Sequence, residues 1–149
     1  MFILGISCFY HDAAAALIKD GEIICAFQEE RFSRIKHDPS FPINSIKNCL
    51  EFASISFDEI EKVAFYENPQ LKYKRLLKTY RDFFPKSVPL IFKSFPAWFF
   101  TKRKWRAQVK KSLSQGGYNL ADSKLVYSEH HRSHAASAFY PSPFQEAAI

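Results

Sequence analysis

His130 and His134 stand four residues apart in the run Ser128-Glu129-His130-His131-Arg132-Ser133-His134-Ala135-Ala136-Ser137-Ala138-Phe139. Residues i and i+4 share one face of a helix, so both rings can turn toward one ion. Neutral imidazole is the commonest protein ligand for metals, and the positive end of a helix dipole opposes a second proton on these rings. Two imidazoles are fewer than the three or four donors of most metal sites, and no third donor stands near them in the chain. Such a pair suits iron, zinc, nickel and copper alike. The plainer reading is a pair of surface histidines. His131, about 100° round the helix from His130, faces solvent or the surroundings of an ion.

A second place for chemistry is the turn Tyr10-His11-Asp12, which follows an apolar run and opens onto Ala13-Ala14-Ala15-Ala16. Small residues there let a ligand or another backbone come close. Equally, His11 can be a turn histidine bonded to backbone, with Asp12 capping the turn. Glu29, Glu30, Arg31, Arg34, Lys36, His37 and Asp38 form a dense charged segment that reads as a solvated strand exit. There is no Walker-type or dinucleotide-type loop, and with four glycines in all a glycine-rich phosphate nest is not expected.

The elements that must hold these residues are legible as runs. Phe2 to Cys8 is continuously apolar, as a buried central strand would be. Ala14 to Lys19 and Glu22 to Gln28 flank Asp20-Gly21, a type I′ hairpin signal. Ser40-Phe41-Pro42 punctuates the chain, and Ile43, Ile46, Leu50 and Ala53 recur at helical spacing. Ser56-Phe57-Asp58-Glu59 has capping-box spacing, and Lys62 to Tyr66 reads as the next strand. Tyr73, Leu77, Tyr80 and Phe84 make one apolar stripe, and Trp105, Val109 and Leu113 another. Pro85, Pro89 and Pro96 between them predict two separate helices. Lys124 to Tyr127 is a short strand, and Ser128 is placed to cap the helix that carries the histidines. Glu146-Ala147-Ala148-Ile149 reads as the first half of a further strand, so the C-terminus reads as a truncation. The order predicts an α/β domain, bordering on α+β, with one mixed sheet and flanking helices over residues 1–149.

Composition narrows the classes. A chain of 149 residues with 47% hydrophobic content and sixteen phenylalanines can build a packed core, which excludes disorder. The opening apolar stretch is short and lacks the basic start of a secretory signal. Together with Cys8, Cys25 and Cys49, odd in number and set in apolar runs, this points to a cytoplasmic protein with reduced thiols. Charge is uneven: between Leu71 and Lys111 thirteen cations face Asp82 alone, a balance of about +12 against a formal +6 for the whole chain. This basic insert, at about 70–117, also carries Trp98, Phe99, Phe100 and Trp105. It reads as an amphipathic helical hairpin with packed aromatics and solvated lysines. The alternative is a surface for anionic partners, a membrane or a nucleic acid.

Two sets of residues together carry a resemblance. The opening Ile3-Leu4-Gly5-Ile6-Ser7, then Tyr10-His11-Asp12-Ala13-Ala14-Ala15-Ala16-Leu17, then Gln28-Glu29-Glu30-Arg31-Phe32-Ser33-Arg34-Ile35-Lys36-His37-Asp38, resembles the start of nodulation-type O-carbamoyltransferases. So does Glu129-His130-His131-Arg132-Ser133-His134-Ala135-Ala136-Ser137-Ala138-Phe139-Tyr140. The basic insert matches in position and general character only.

The resemblance implies the first half of an actin/hexokinase-like (RNase H-like) ATPase domain, followed in such enzymes by a second domain of another fold. It implies a reaction in which carbamoyl phosphate and ATP give a carbamoyl-adenylate, whose carbamoyl group passes to a hydroxyl of a sugar or natural product. It implies a metal, iron rather than zinc, held by His130 and His134 with aspartates beyond Ile149. It makes His11 the general base for the acceptor hydroxyl, beside the turn-histidine reading, and it gives the charged segment at residues 29–38 a part in shaping a pocket. On this reading the chain's partners are the hydroxyl acceptor and the remaining part of the same enzyme, with no nucleic acid expected and the fragment inactive alone. Two other readings stand beside it: a binding module for anionic partners, and a small metalloprotein completed by self-association.

Overall fold

A computed structural model describes residues 1–100 and 105–148, and the side chains of all of these except 95–100. Five strands form one mixed sheet in the order β3-β2-β1-β4-β5. β1 (Phe2–Ser7), β2 (Ala14–Lys19) and β3 (Glu22–Gln28) make an antiparallel meander. Asp20 and Gly21 both have positive φ, 52° and 94°, as the type I′ turn between β2 and β3 requires. β4 (Ile60–Phe65) runs parallel to β1 on its other side, and β5 (Leu125–Tyr127) runs parallel to β4. The α/β class and the mixed sheet expected from the sequence are what is found.

The sheet buries one face most deeply. Leu4 and Ile6 of β1, Ala15 and Leu17 of β2, and Val63 and Phe65 of β4 alternate inward. They meet Ile46, Cys49 and Leu50 of helix α2 (Ile43–Ala53), which follows the one-turn helix α1 (Glu30–Ser33), in a single cluster. Trp105, Val109 and Leu113, the stripe read from the sequence, join the same cluster from helix α5 (Trp105–Gln115). The capping box at Ser56–Glu59 forms with both of its arms and delivers the chain into β4.

Four expectations need correction. The proline-rich segment does not simply separate two helices: between α3 (Pro69–Asp82) and α5 lies a third, α4 (Val88–Phe100), which contains both Pro89 and Pro96. Pro89 costs nothing in the first turn, where its N–H would have no partner; Pro85 sits in the bend before it. The aromatics of this insert are not all packed: Tyr80 and Trp105 are buried, whereas Phe83, Phe84 and Phe92 are exposed. Ser128 does not cap the histidine helix α6 (His130–Phe139): the pairing of β5 with β4 runs on to it, its N–H donating to Phe65 O at 2.9 Å, and the helix starts one residue later with Glu129 at the cap position. Glu146 to Ala148 form no strand; they are exposed and enter no ladder. Trp98, Phe99 and Phe100 as side chains, and Lys102, Arg103, Lys104 and Ile149 altogether, lie outside the described residues.

Candidate functional site

Every group that the sequence marks for chemistry lies beyond one edge of the sheet. β1, β4 and β5 are parallel, and their carboxyl ends lead directly into Cys8–Asp12, Tyr66–Glu67 and Ser128–His134. β2 begins and β3 ends at the same edge, because both pair antiparallel to the strand before them. Crevices past the carboxyl ends of such strands are where open α/β sheets bind ligands.

On α6, His130 Nε2 and His134 Nε2 face each other at 3.1 Å, with ring centroids 4.6 Å apart. Two imidazole nitrogens on one ion, each at about 2.1 Å, stand about 3.0 Å apart at a right angle and about 3.4 Å apart at a tetrahedral one. The observed spacing falls between these, so the pair fits two positions around a metal. Burial is the main cause that lowers the proton affinity of His130; Glu67 opposes it, while His134, Lys72 and His131 add to it. The neutral ring is the form that ligates. His130 Nδ1 is buried and has no hydrogen-bond partner among the described residues, whereas ligating histidines usually donate from the second nitrogen. Near the pair, among the described residues, no third donor completes a set of three.

The helix is fixed from below. Ser133 Oγ donates to Tyr66 O at 2.9 Å and to Glu129 O at 3.1 Å, tying α6 to the end of β4. The Tyr66 ring lies 5.9 Å from that of His130. Its hydroxyl is pushed up to about 12, first by burial and then by Glu67, Cys8 and Tyr10. Beside the histidines a cleft of about 260 Å³ is lined by Glu67, Lys72, Arg75, Glu129, His130 and His131, among others. Its charges pair across it: Glu67, nearly buried, takes Lys72, and Arg75 reaches Glu129 at 3.9 Å.

The second centre is built on the β1–β2 turn. Asp12 has φ +50°, a left-handed conformation that short polar side chains tolerate. Its Oδ2 lies 2.6 Å from His11 Nδ1 and its Oδ1 2.9 Å from His37 Nδ1. Backbone bonds hold the two loops together: Ala13 N donates to Asp38 O and Phe9 N to Pro39 O, both at 2.8 Å. Hydrogen bonds from His37 and then His11 hold the Asp12 carboxyl below the usual carboxylate range, and the same carboxylate raises the His37 imidazole above its usual value. Glu30 accepts from His37 N at 3.1 Å. Asp12, Glu30 and His37 place one donor atom each within 4.8 Å of the others, a grouping not visible in the sequence. The His11 ring is bonded to the Asp12 side chain, not to backbone.

The charged segment divides in two. Glu29 is not solvated: it is 2% exposed and accepts from Asn44 N, Asn44 Nδ2, Ser45 N and Ser45 Oγ, closing the amino end of α2. Asp38 is buried too and accepts from Ser40 N at 2.8 Å. Glu30 and His37 face the site.

A family model described as "Carbamoyltransferase N-terminus" matches residues 2–149. An uncharacterized protein of Synechocystis sp. is 48% identical over 99% of this chain and 24% of its own length. The nodulation protein NolNO of Sinorhizobium fredii is 34% identical over 95% of this chain and 19% of its own. An uncharacterized protein of Methanocaldococcus jannaschii is 44% identical over 42% of this chain and 12% of its own. The chain thus spans about a quarter of the first of these relatives and less of the other two.

Proposed function

The chain belongs to the family of carbamoyltransferase N-terminal domains, and from that premise we propose that it is the acceptor-binding and metal-binding part of a larger O-carbamoyltransferase. The mixed sheet supplies the first half of an actin/hexokinase-like domain. The rest of the enzyme makes carbamoyl-adenylate from carbamoyl phosphate and ATP, in the cytoplasm, and the carbamoyl group passes to a hydroxyl of a sugar or natural product.

His11 is the general base in this reading. Its Nδ1 is engaged by Asp12 Oδ2 at 2.6 Å, which leaves Nε2 free to accept. As the acceptor oxygen bonds to the carbamoyl carbon, its proton passes to Nε2, and the bond from that carbon to the adenylate oxygen breaks to release AMP. Asp12 holds the tautomer and balances the imidazolium that forms, as a carboxylate does for a catalytic histidine elsewhere.

His130 and His134 would hold the metal, iron before zinc, with further ligands from beyond this chain. When bound, the ion supplies Lewis-acid stabilisation to an oxygen of the substrate. Tyr66 and Ser133 fix the helix that presents the pair, and the partly desolvated His130 keeps its ring neutral.

The observation that carries the proposal is the facing pair of Nε2 atoms, 3.1 Å apart, on the sheet edge that also bears His11 and Asp12. Elemental analysis of a longer enzyme that carries this domain and the further ligands, purified without a histidine tag, beside its His130→Ala/His134→Ala variant, tests it. Stoichiometric iron or zinc that disappears in the variant is expected. Metal content indifferent to the two substitutions, or absent from both proteins, removes the metal assignment.

A further inference from the structure

The α3–α4 hairpin holds itself together and contributes little to the body of the protein. Tyr80 OH meets Ser94 Oγ, Ser87 Oγ donates to Tyr80 O at 2.6 Å, and Ser87 N donates to Phe83 O at 3.0 Å, so the two helices close on each other. None of the hairpin's described side chains belongs to the hydrophobic cluster of the sheet, which α2 and α5 cover.

What the hairpin does present is apolar and basic together. Around its bend Phe83 is 64% exposed and Phe84 70%; on the first turns of α4, Phe92 is 78% exposed and Leu90 45%. The same stretch exposes Lys78, Arg81, Lys86 and Lys93. Between residues 69 and 94 the sequence has one carboxylate, Asp82, and Arg81 occupies it at 3.1 Å. Isolated exposed apolar side chains need no explanation, but four large ones within residues 83–92, interspersed with exposed lysines, do.

We propose that this hairpin tip docks on an anionic lipid surface, the phenylalanines entering the headgroup boundary and the cations meeting lipid phosphates. Charge complementarity selects the partner's sign, and the apolar residues select hydrocarbon. Leu90, Pro85 and Pro89 have no stacking face to offer a base, so a lipid boundary accommodates the whole patch where a nucleic acid uses only part of it. Each cation near such a surface strengthens association about fivefold, and the attraction weakens as salt is added. The proposal is independent of the transfer reaction and of the metal.

Co-sedimentation of the 149-residue chain with phosphatidylcholine vesicles containing phosphatidylglycerol tests it, with pure phosphatidylcholine vesicles and a single-stranded oligonucleotide as comparison ligands. Binding to the anionic vesicles is expected, weakened by salt and absent with phosphatidylcholine alone. A Phe83→Ser/Phe92→Ser variant should bind about tenfold more weakly, and a Lys86→Glu/Lys93→Glu variant at least about twentyfold more weakly. All four positions are exposed, so the variants should keep the circular dichroism of the parent. No binding to anionic vesicles, binding unchanged in both variants, or tighter binding to the oligonucleotide than to the vesicles would overturn the proposal.

Discussion

His37 places Nδ1 2.9 Å from Asp12 Oδ1 across 25 residues of chain, while His11 takes the other oxygen of the same carboxylate from the position next to it. One acid therefore organises two imidazoles, and the backbone bonds from Phe9 and Ala13 to Pro39 and Asp38 explain how the two loops meet.

That sharing sets a pH dependence. Asp12 has a depressed folded-state value, so its contribution to stability is present above the unfolded carboxyl value and lost as pH falls through the depressed one. His37 has a raised value, so its contribution is full below about 6.5 and lost as pH rises through the raised one. The pair is strongest between those limits. Asp12→Asn should lower the His37 midpoint toward about 6.5, read from its ring protons by NMR titration. The stability gap between parent and variant should close as pH rises past the parent's His37 midpoint.

Glu29 should behave as a structural acid. Its four accepted hydrogen bonds satisfy the first turn of α2, so Glu29→Ala leaves buried donors without partners and a small cavity. A loss of about 3 kcal/mol in urea unfolding is expected. A loss comparable to that of an exposed position, below about 0.5 kcal/mol, would mean that the carboxylate is solvated after all.

Leu113 separates the two parts of the basic insert. It is fully buried in the sheet's cluster, and Leu113→Ala should cost about 3 kcal/mol. Leu77, 42% exposed on α3, should cost less than about 1 kcal/mol when changed to Ala. Equal costs at the two positions would contradict the assignment of α5 to the core.

The base and the metal ligands can be told apart in a longer enzyme that carries this domain. His11→Asn should lower carbamoyl transfer about a hundredfold or more and leave metal content unchanged. His130→Ala/His134→Ala should remove the metal. If His11→Asn transfers at the parental rate, the base lies elsewhere.

Much of the sheet was legible because its strands announce themselves locally. The apolar run at Phe2 to Cys8, the Asp20-Gly21 turn and the capping box at Ser56 each encode their own geometry, and each forms. The facing of His130 and His134 follows from helical spacing alone. What stayed hidden depends on contacts between distant segments. Nothing within the charged run at residues 29–38 tells Glu29, which plugs a helix end, from Glu30, which faces the turn of β1. Asp12 and His37 meet only because β3 returns beside β2 and brings the next loop with it. Ser128 misled because the strand pairing extends to it and moves the helix start one residue on, to Glu129, which nothing local encodes.

The placement of β1 has a practical consequence. It is the central strand, and it begins at Phe2 and ends at Ser7, so the amino terminus and the His11 turn sit at opposite ends of about 20 Å of extended chain. Met1 meets Asp20 there, its ammonium group on the carboxylate and its carbonyl accepting from Asp20 N at 3.1 Å. A fluorophore attached at Met1 would thus occupy a rigid origin well clear of the reactive edge, from which the approach of an acceptor or of another domain could be measured as a distance.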